Sequence, residues 1–482
     1  MGNPGGAGLD LLLGVERGRG GVGRSLEAAL RDAVRSGRLP AGTPLPGTRT
    51  LAADLGISRG TVVQAYTQLV AEGWLVGTPG SGTRVSAAPT VGGGDEPRRD
   101  AAGERPPDLV DLRPGRPDLT SFPRTAWVAA VRRALAAAGP EVWDYPPPLG
   151  LPAVREAIAE YVARARGVRA DPRGVAVVGG GFAGGLALLA RALRTLGVRE
   201  VATEDPGLGR HRELLRAAGM ATVPLPVDAG GADPGGLTAG TGAALLTPAH
   251  QHPMGVVLAP ERRAAFAGWA RRRGAYLIED DYDGEFRYDQ QPVGALQALA
   301  PERVVFAGSA SKTLAPGMRL AWLVVPPDLR EPLALAAEEA GTGAPVAEQL
   351  AFAELVGNGG YDRHIRRARL AHRRRRAELA RRLPVPLHGV PAGLHALLPV
   401  GSAAHERRLV EAGASAGIRL HGLHTLGYWH DSPAGTPTGA SGARPVERPA
   451  ALVLGYAAPP PHAWRRALDA LAKLVEVHGL TG

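Results

Sequence analysis

The 482-residue chain contains no cysteine. That absence removes disulfides, thiolate metal sites and cysteine nucleophiles together. No run of 18 or more apolar residues occurs, so a membrane span is not expected. The start, MGNPGGAGLDLLLGVERG, lacks the basic stretch and apolar run of a secretory signal, which leads us to expect a cytoplasmic protein. Lysine is nearly missing too, occurring only at Lys312 and Lys473. Arginine supplies almost all of the 56 positive charges, which exceed the acidic residues by 10. An excess of that sign suits a polyanionic partner and equally suits a solvated basic surface. Where charge alone matters, this chain uses arginine. Arginine cannot lose its proton or form a Schiff base, whereas lysine does both. Lys473 lies in the amphipathic pattern ALDALAKLVEV and reads as a surface residue. Lys312, in GSASKTLAPGMRLAW, reads differently.

The length exceeds what one core usually holds, so two domains are expected. Residues 10–86 read as a small helical unit ending in a β-wing. SLEAALRDAVRSG places Leu26, Leu30, Ala33 and Val34 on one helical face, with Ser25 as the expected cap. Thr48 is expected to cap a second helix that Gly56 ends. Ser58 should cap a third, whose buried stripe is Val62, Tyr66, Leu69 and Val70. Trp74-Leu75-Val76, the turn TPGSG and Thr83-Arg84-Val85 read as a hairpin. Helix, helix, turn, helix, hairpin is a winged helix-turn-helix. Residues 87–108 read as a flexible linker, and 431–449 as a low-complexity loop or insert. From 109 to 482, strand-like runs such as GVAVVGGG, REVATED, AALLTPA, GAYLIEDD and RVVFAGS alternate with amphipathic helices. That pattern predicts an α/β domain with a mostly parallel sheet.

In a helix-turn-helix the second helix of the motif enters the major groove. Its first-turn residues here are Ser58, Arg59, Thr61 and Gln64. Arg59 is the candidate for a bidentate guanine contact, worth about 1–3 kcal/mol of discrimination. Arg49 is placed for a phosphate. Gly80 and Gly82 let the wing tip approach the duplex closely, with Arg84 beside them. The stretch SGRLPAGTPLPGTRTLAADLGISRGTVVQAYTQLVAEGWLVGTPGSGTRV resembles the GntR-type winged helix over almost its whole length.

Four residue types further on make a pattern suited to pyridoxal 5′-phosphate. Lys312 can form the Schiff base. Asp280, at the end of AYLIED, can protonate the pyridine nitrogen, and Tyr282 can reach the ring oxygen. Arg319, Ser309 and Ser311, with the Gly181-Phe182-Ala183 amides of a Gly-rich turn, can hold the phosphate. Singly, the Gly-rich turn is equally a tight strand-to-helix connection, and EDDYDGEF is equally a solvated acidic loop or a metal-like cluster. With DLRPGRPDLTSFPRTAW, TPAHQHPMGVV and SASKTLAPGMRLAW, residues 109–482 resemble a fold-type I aminotransferase domain. Behind a GntR-type winged helix, this resembles the MocR family of regulators. The resemblance implies a homodimer that binds a double-stranded operator. It also implies that pyridoxal phosphate, or its external aldimine with an amino compound, is sensed to control vitamin B6, amino-acid or amine genes.

Four positions depart from that family. Leu208 stands where an aromatic usually lines the ring, and Phe182 could compensate. Phe182 itself replaces a small or hydroxyl residue in the phosphate turn. His252, in HQHPMG, stands near where related enzymes put an Asn. It is either a group titrating near neutral pH or a satisfied loop histidine. Val453 stands where aminotransferases hold the substrate carboxylate with Arg, and Arg210 is the expected substitute. Losing that clamp points away from efficient transamination. A working aminotransferase and an inert dimerisation scaffold remain as alternatives.

Overall fold

The computed structural model describes residues 21–78, 82–86, 109–288, 293–341, 343–430 and 448–480. The expected start of the first domain at 10, Gly80, the linker 87–108 and most of the 431–449 insert lie outside them. The chain divides into two compact units, 1–105 and 106–482.

In the first unit, α1 (Val22–Arg35), α2 (Thr48–Leu55) and α3 (Arg59–Ala71) precede an antiparallel hairpin of β1 (Leu75–Thr78) and β2 (Gly82–Val85). Leu26, Leu30, Leu51, Val62, Leu69, Leu75 and Val85 share one core. Two expected caps are not used. The first helix begins before Ser25, at Gly21 with φ 83, and the second is preceded by Gly47 rather than capped by Thr48. Gly56 ends α2 in the left-handed conformation at φ 61, as expected of a glycine there. Val70 is 40% exposed. Adjacent helical residues sit about 100° apart, so a stripe running Val62, Tyr66, Leu69 turns Val70 outward. Ser58 does cap α3: its hydroxyl accepts from the Thr61 amide at 3.1 Å. Ser58→Ala should destabilise this unit by about 1 kcal/mol, lowering its thermal midpoint by about 4–8 °C. An unchanged midpoint by circular dichroism would remove the cap from the account.

The second unit is built on an eight-stranded sheet. Its strand order is 175–178, 321–324, 304–309, 276–280, 243–246, 200–205, 221–228 and 231–232. The five strands from 304–309 to 221–228 run parallel. Strand Ala321–Val324 lies antiparallel to both of its neighbours. The central strands are buried along their length, as expected when helices cover both faces. On one face Phe306, Trp322 and Val324 pack with Ile158, Phe352 and Tyr361. On the other, Val305, Ala307 and Leu323 pack with Leu186, Leu189 and Leu193. A separate antiparallel pair, Ala396–Val400 with Ala450–Leu454, carries helices Ala403–Ser415 and Pro461–His478. Lys473 is exposed on the last of these.

Candidate functional site

A cavity of about 410 Å³ opens at the carboxyl ends of the parallel strands, where ligands of open α/β sheets bind. Strand Val304–Ser309 runs directly into the short helix Ala310–Thr313, which brings Ser309, Ser311 and Lys312 to one wall. Lys312 Nζ donates to the Gly115 carbonyl at 2.6 Å. Burial lowers its pKa, partly opposed by the negative charges of Asp280 and Asp283. The amine is therefore more readily deprotonated than an exposed lysine.

The acidic run EDDYDGEF is not a solvated loop, because all five of its acids are buried. Four have protein partners. Glu279 accepts from the Leu296 and Gln297 amides at 2.8 and 2.9 Å. Asp281 forms a two-pronged ion pair with buried Arg166 at 2.6 and 2.9 Å. Asp283 lies 2.8 Å from His250 Nδ1, and Glu285 accepts from the Tyr161 hydroxyl at 3.0 Å. Asp280 alone accepts no hydrogen bond from any described residue, and it lines the cavity. Burial raises its pKa well above the usual range, with Lys312 opposing. A buried carboxyl without a partner is costly, so this one is arranged for something that enters the cavity.

The Tyr282 hydroxyl lies in the same cavity, 3.1 Å from His250 Nδ1. His250, Asp283 and His395 bring their ligating atoms within 4.8 Å of one another. The contacts of His250 Nδ1 to Asp283 and Tyr282 give this group a task at hand, which is holding the phenol. Gly393 makes the arrangement possible. Its φ is 70, and a Cβ there would sit 2.2 Å from His250 Nδ1 and 2.3 Å from Asp283 Oδ2.

The phosphate-type turn differs from expectation at one residue. The Gly181 amide donates to the Arg319 carbonyl at 2.7 Å, so it is committed to the protein. The Phe182 and Ala183 amides remain at the first turn of helix Gly181–Thr195, and both residues line the cavity. Arg319 brackets the turn from both ends, since its guanidinium also donates to the Gly180 carbonyl. Among the described residues it is the one non-glycine with positive φ, at 49. Such a residue stores strain and tends to occur at ligand clamps.

Three further expectations change. Arg210 does not line the cavity; it is exposed and pairs with Glu213 at 3.2 Å. His252 does line it, buried, with Nε2 3.1 Å from the Tyr428 hydroxyl and Nδ1 without a partner. Burial first, then His395 and Lys312, hold its pKa well below the usual value. It is therefore neither a neutral-pH titrating group nor fully satisfied by the protein. Leu208 and Val453 join one apolar cluster with Tyr428 and Trp429, and of these two only Leu208 reaches the cavity. Phe182 packs edge-to-face on His211 at 5.0 Å. Sequence reasoning missed His211, Arg113, Arg116, Arg212 and His421, all in the cavity wall.

On the first unit, Arg49, Arg59 and Gln64 are exposed and make no hydrogen bond or ion pair with described residues. Ser58 and Thr61 are bonded to each other at 2.8 Å, so their hydroxyls are partly committed to the cap. Gly82 has φ 86 with open space around it, and Arg84 donates to the Gly42 carbonyl at 3.1 Å.

Residues 107–403 match the family described as Aminotransferase class I and II, and residues 23–85 match the gntR family of bacterial regulatory proteins. The pyridoxine biosynthesis transcriptional regulator PdxR of Corynebacterium glutamicum is 34% identical over 379 residues, covering 77% of this chain and 82% of its own. The probable rhizopine catabolism regulatory protein MocR of Rhizobium meliloti is 34% identical over 366 residues, covering 72% and 74%. The chain belongs to the MocR-type transcriptional regulators. Its large unit has the fold-type I architecture. Thermus thermophilus aspartate aminotransferase with maleate superposes with a TM-score of 0.62 at 25% identity, over 76% of the regulator and 92% of the enzyme. An archaeal alanine:glyoxylate aminotransferase shares the fold, with a TM-score of 0.63 at 22% identity over 77% and 91%. Family and fold together make pyridoxal phosphate the regulator's cofactor. No helix among the described residues is long and apolar enough to cross a membrane.

Proposed function

We propose that the regulator carries pyridoxal phosphate on Lys312, and that occupancy of the cavity by the cofactor or an amino compound gates operator binding by the winged helix. Asp280 carries this reading. Among the described residues it is the one acid of its run without a hydrogen-bond partner, and a protonated pyridine nitrogen would supply one. When bound, the cofactor supplies an electrophilic carbon that condenses with amines. The chain's own residues do the rest. Tyr282, held against His250, would supply a hydroxyl to the ring oxygen, and the unpartnered Nδ1 of His252 would offer a further polar atom. Arg319, Ser309, Ser311 and the Phe182 and Ala183 amides line the cavity and would hold the phosphate with donors.

The protein acts as a cytoplasmic homodimer on genes of vitamin B6, amino-acid or amine metabolism, in keeping with relatives named for pyridoxine biosynthesis and rhizopine catabolism. A ligand can shift the dimer only by binding one state better than the other. Efficient turnover is not expected, because strand Ala450–Leu454 offers buried Val453 in place of a cation. The experiment is a footprint upstream of the regulator's own gene, with and without added pyridoxal phosphate. The protected boundary or its half-saturation should change with the cofactor, or with cofactor plus an amine. An identical footprint under all three conditions rejects gating.

A further inference from the structure

We infer that Arg116 reads the acid group of the effector, which makes that effector an amino acid rather than a plain amine. The inference rests on the reading that Lys312 carries the cofactor. With Val453 buried and Arg210 outside the cavity, the two positions expected to hold a carboxylate are both unavailable.

Four arginines line the cavity: Arg113, Arg116, Arg212 and Arg319. Three are committed. Arg113 grips Asp111 with Nε at 2.8 Å and Nη2 at 2.6 Å. Arg212 is buried and donates to the carbonyls of Gly207, Gly427, Tyr428 and Trp429 at 2.8–3.0 Å. Arg319 brackets the glycine turn at the phosphate end. Arg116 differs from all of them. Its side chain is 58% exposed, and its one ion pair among the described residues is a long 3.6 Å approach to Asp111, a carboxylate that Arg113 already holds. No described group accepts a hydrogen bond from it.

Its place in the wall suits the role. Arg116 follows Gly115, whose carbonyl takes the Lys312 amine at 2.6 Å. A ligand amine that displaces Lys312 therefore arrives beside the loop carrying Arg116. A carboxylate on that ligand meets a guanidinium fork with open donors, the geometry that binds such groups in two prongs. His421 lines the same wall. Burial, followed by the charge of Arg113, pushes its pKa down, and an imidazole brings no anion to compete for the Arg116 fork.

The test uses the full chain loaded with pyridoxal phosphate, a ladder of linear amino acids and the matched alkylamines. Binding is read from the change in the cofactor's visible spectrum. A second arm, needing no cofactor, measures plain carboxylates from acetate to butyrate by calorimetry. The parent should prefer one rung of amino acids over its matched amine. Arg116→Gln should weaken that amino acid and the plain carboxylates roughly ten- to hundredfold. It should leave the amine and the resting spectrum unchanged, and Arg116→Lys should restore part of the loss. Equal affinity of the parent for amino acids and amines overturns the inference, as does an Arg116→Gln effect on both alike or on neither. If the parent takes up no pyridoxal phosphate, the Lys312 reading falls, and the calorimetric arm still decides the role of Arg116.

Discussion

Lys312→Ala should abolish the Schiff-base absorbance band that pyridoxal phosphate gives on this protein, leaving at most the spectrum of the unreacted aldehyde. The expectation rests on the scarcity and the placement of amines. Of the chain's two lysines, Lys473 is exposed on helix Pro461–His478, and only Lys312 lines the cavity. The control is Lys312→Arg, which keeps a cation beside Asp280 but has no amine that condenses with the cofactor. It too should give no band, which separates chemistry from charge. Borohydride reduction of the loaded parent followed by peptide mapping should place the cofactor on the Lys312 peptide. A Schiff-base band that survives in the alanine variant would show that the cofactor is attached elsewhere.

Arg59→Ala should weaken operator binding by roughly ten- to hundredfold, the equivalent of about 1–3 kcal/mol for one bidentate base contact. Arg59 is the first residue of α3, exposed and without a hydrogen-bond or ion-pair partner among the described residues, so the substitution disturbs no such contact there. Discrimination against unrelated DNA should fall with it. Arg49→Ala should behave differently. It sits in the first turn of α2, where a cation meets phosphate. Its loss should weaken binding across sequences and reduce the salt slope by about 1. Titrations of operator and scrambled duplex at several salt concentrations distinguish the two. Parent-like affinity in both variants would mean that α3 does not read the groove as assigned.

Much of this was legible in the sequence because it is written in local periods. The runs AYLIED and VVFAGS announce buried strands, and the Ser-Lys-Thr that follows the second announces a residue delivered to the sheet edge. The partners were not legible. Asp281 is held by Arg166 and Asp283 by His250, and neither pairing shares a local period. The separation that singles out Asp280 therefore exists only in three dimensions. The error at Arg210 is instructive in the same way. It stands two residues before Arg212 on helix Gly209–Ala217, so about 200° of rotation separates them. Arg212 turns inward onto the 427–429 carbonyls, and Arg210 turns to solvent. A pattern match one residue wide cannot choose between those faces without knowing where the helix packs. The unused caps at Ser25 and Thr48 have the same origin, since each helix starts where the chain leaves a glycine rather than where a hydroxyl stands.

The near-absence of lysine has a consequence for selectivity among aldehydes. A typical protein surface scatters ε-amines, and any reactive carbonyl in the cell is diluted over them. Here an aldehyde meets two ε-amines in the whole chain. The one with the lowered pKa lines the cavity, so the amine that parts with its proton more readily is also the one that screens its visitors by shape. The protein thus resembles a dosimeter with a single calibrated window, whose reading is scarcely diluted by its own surface.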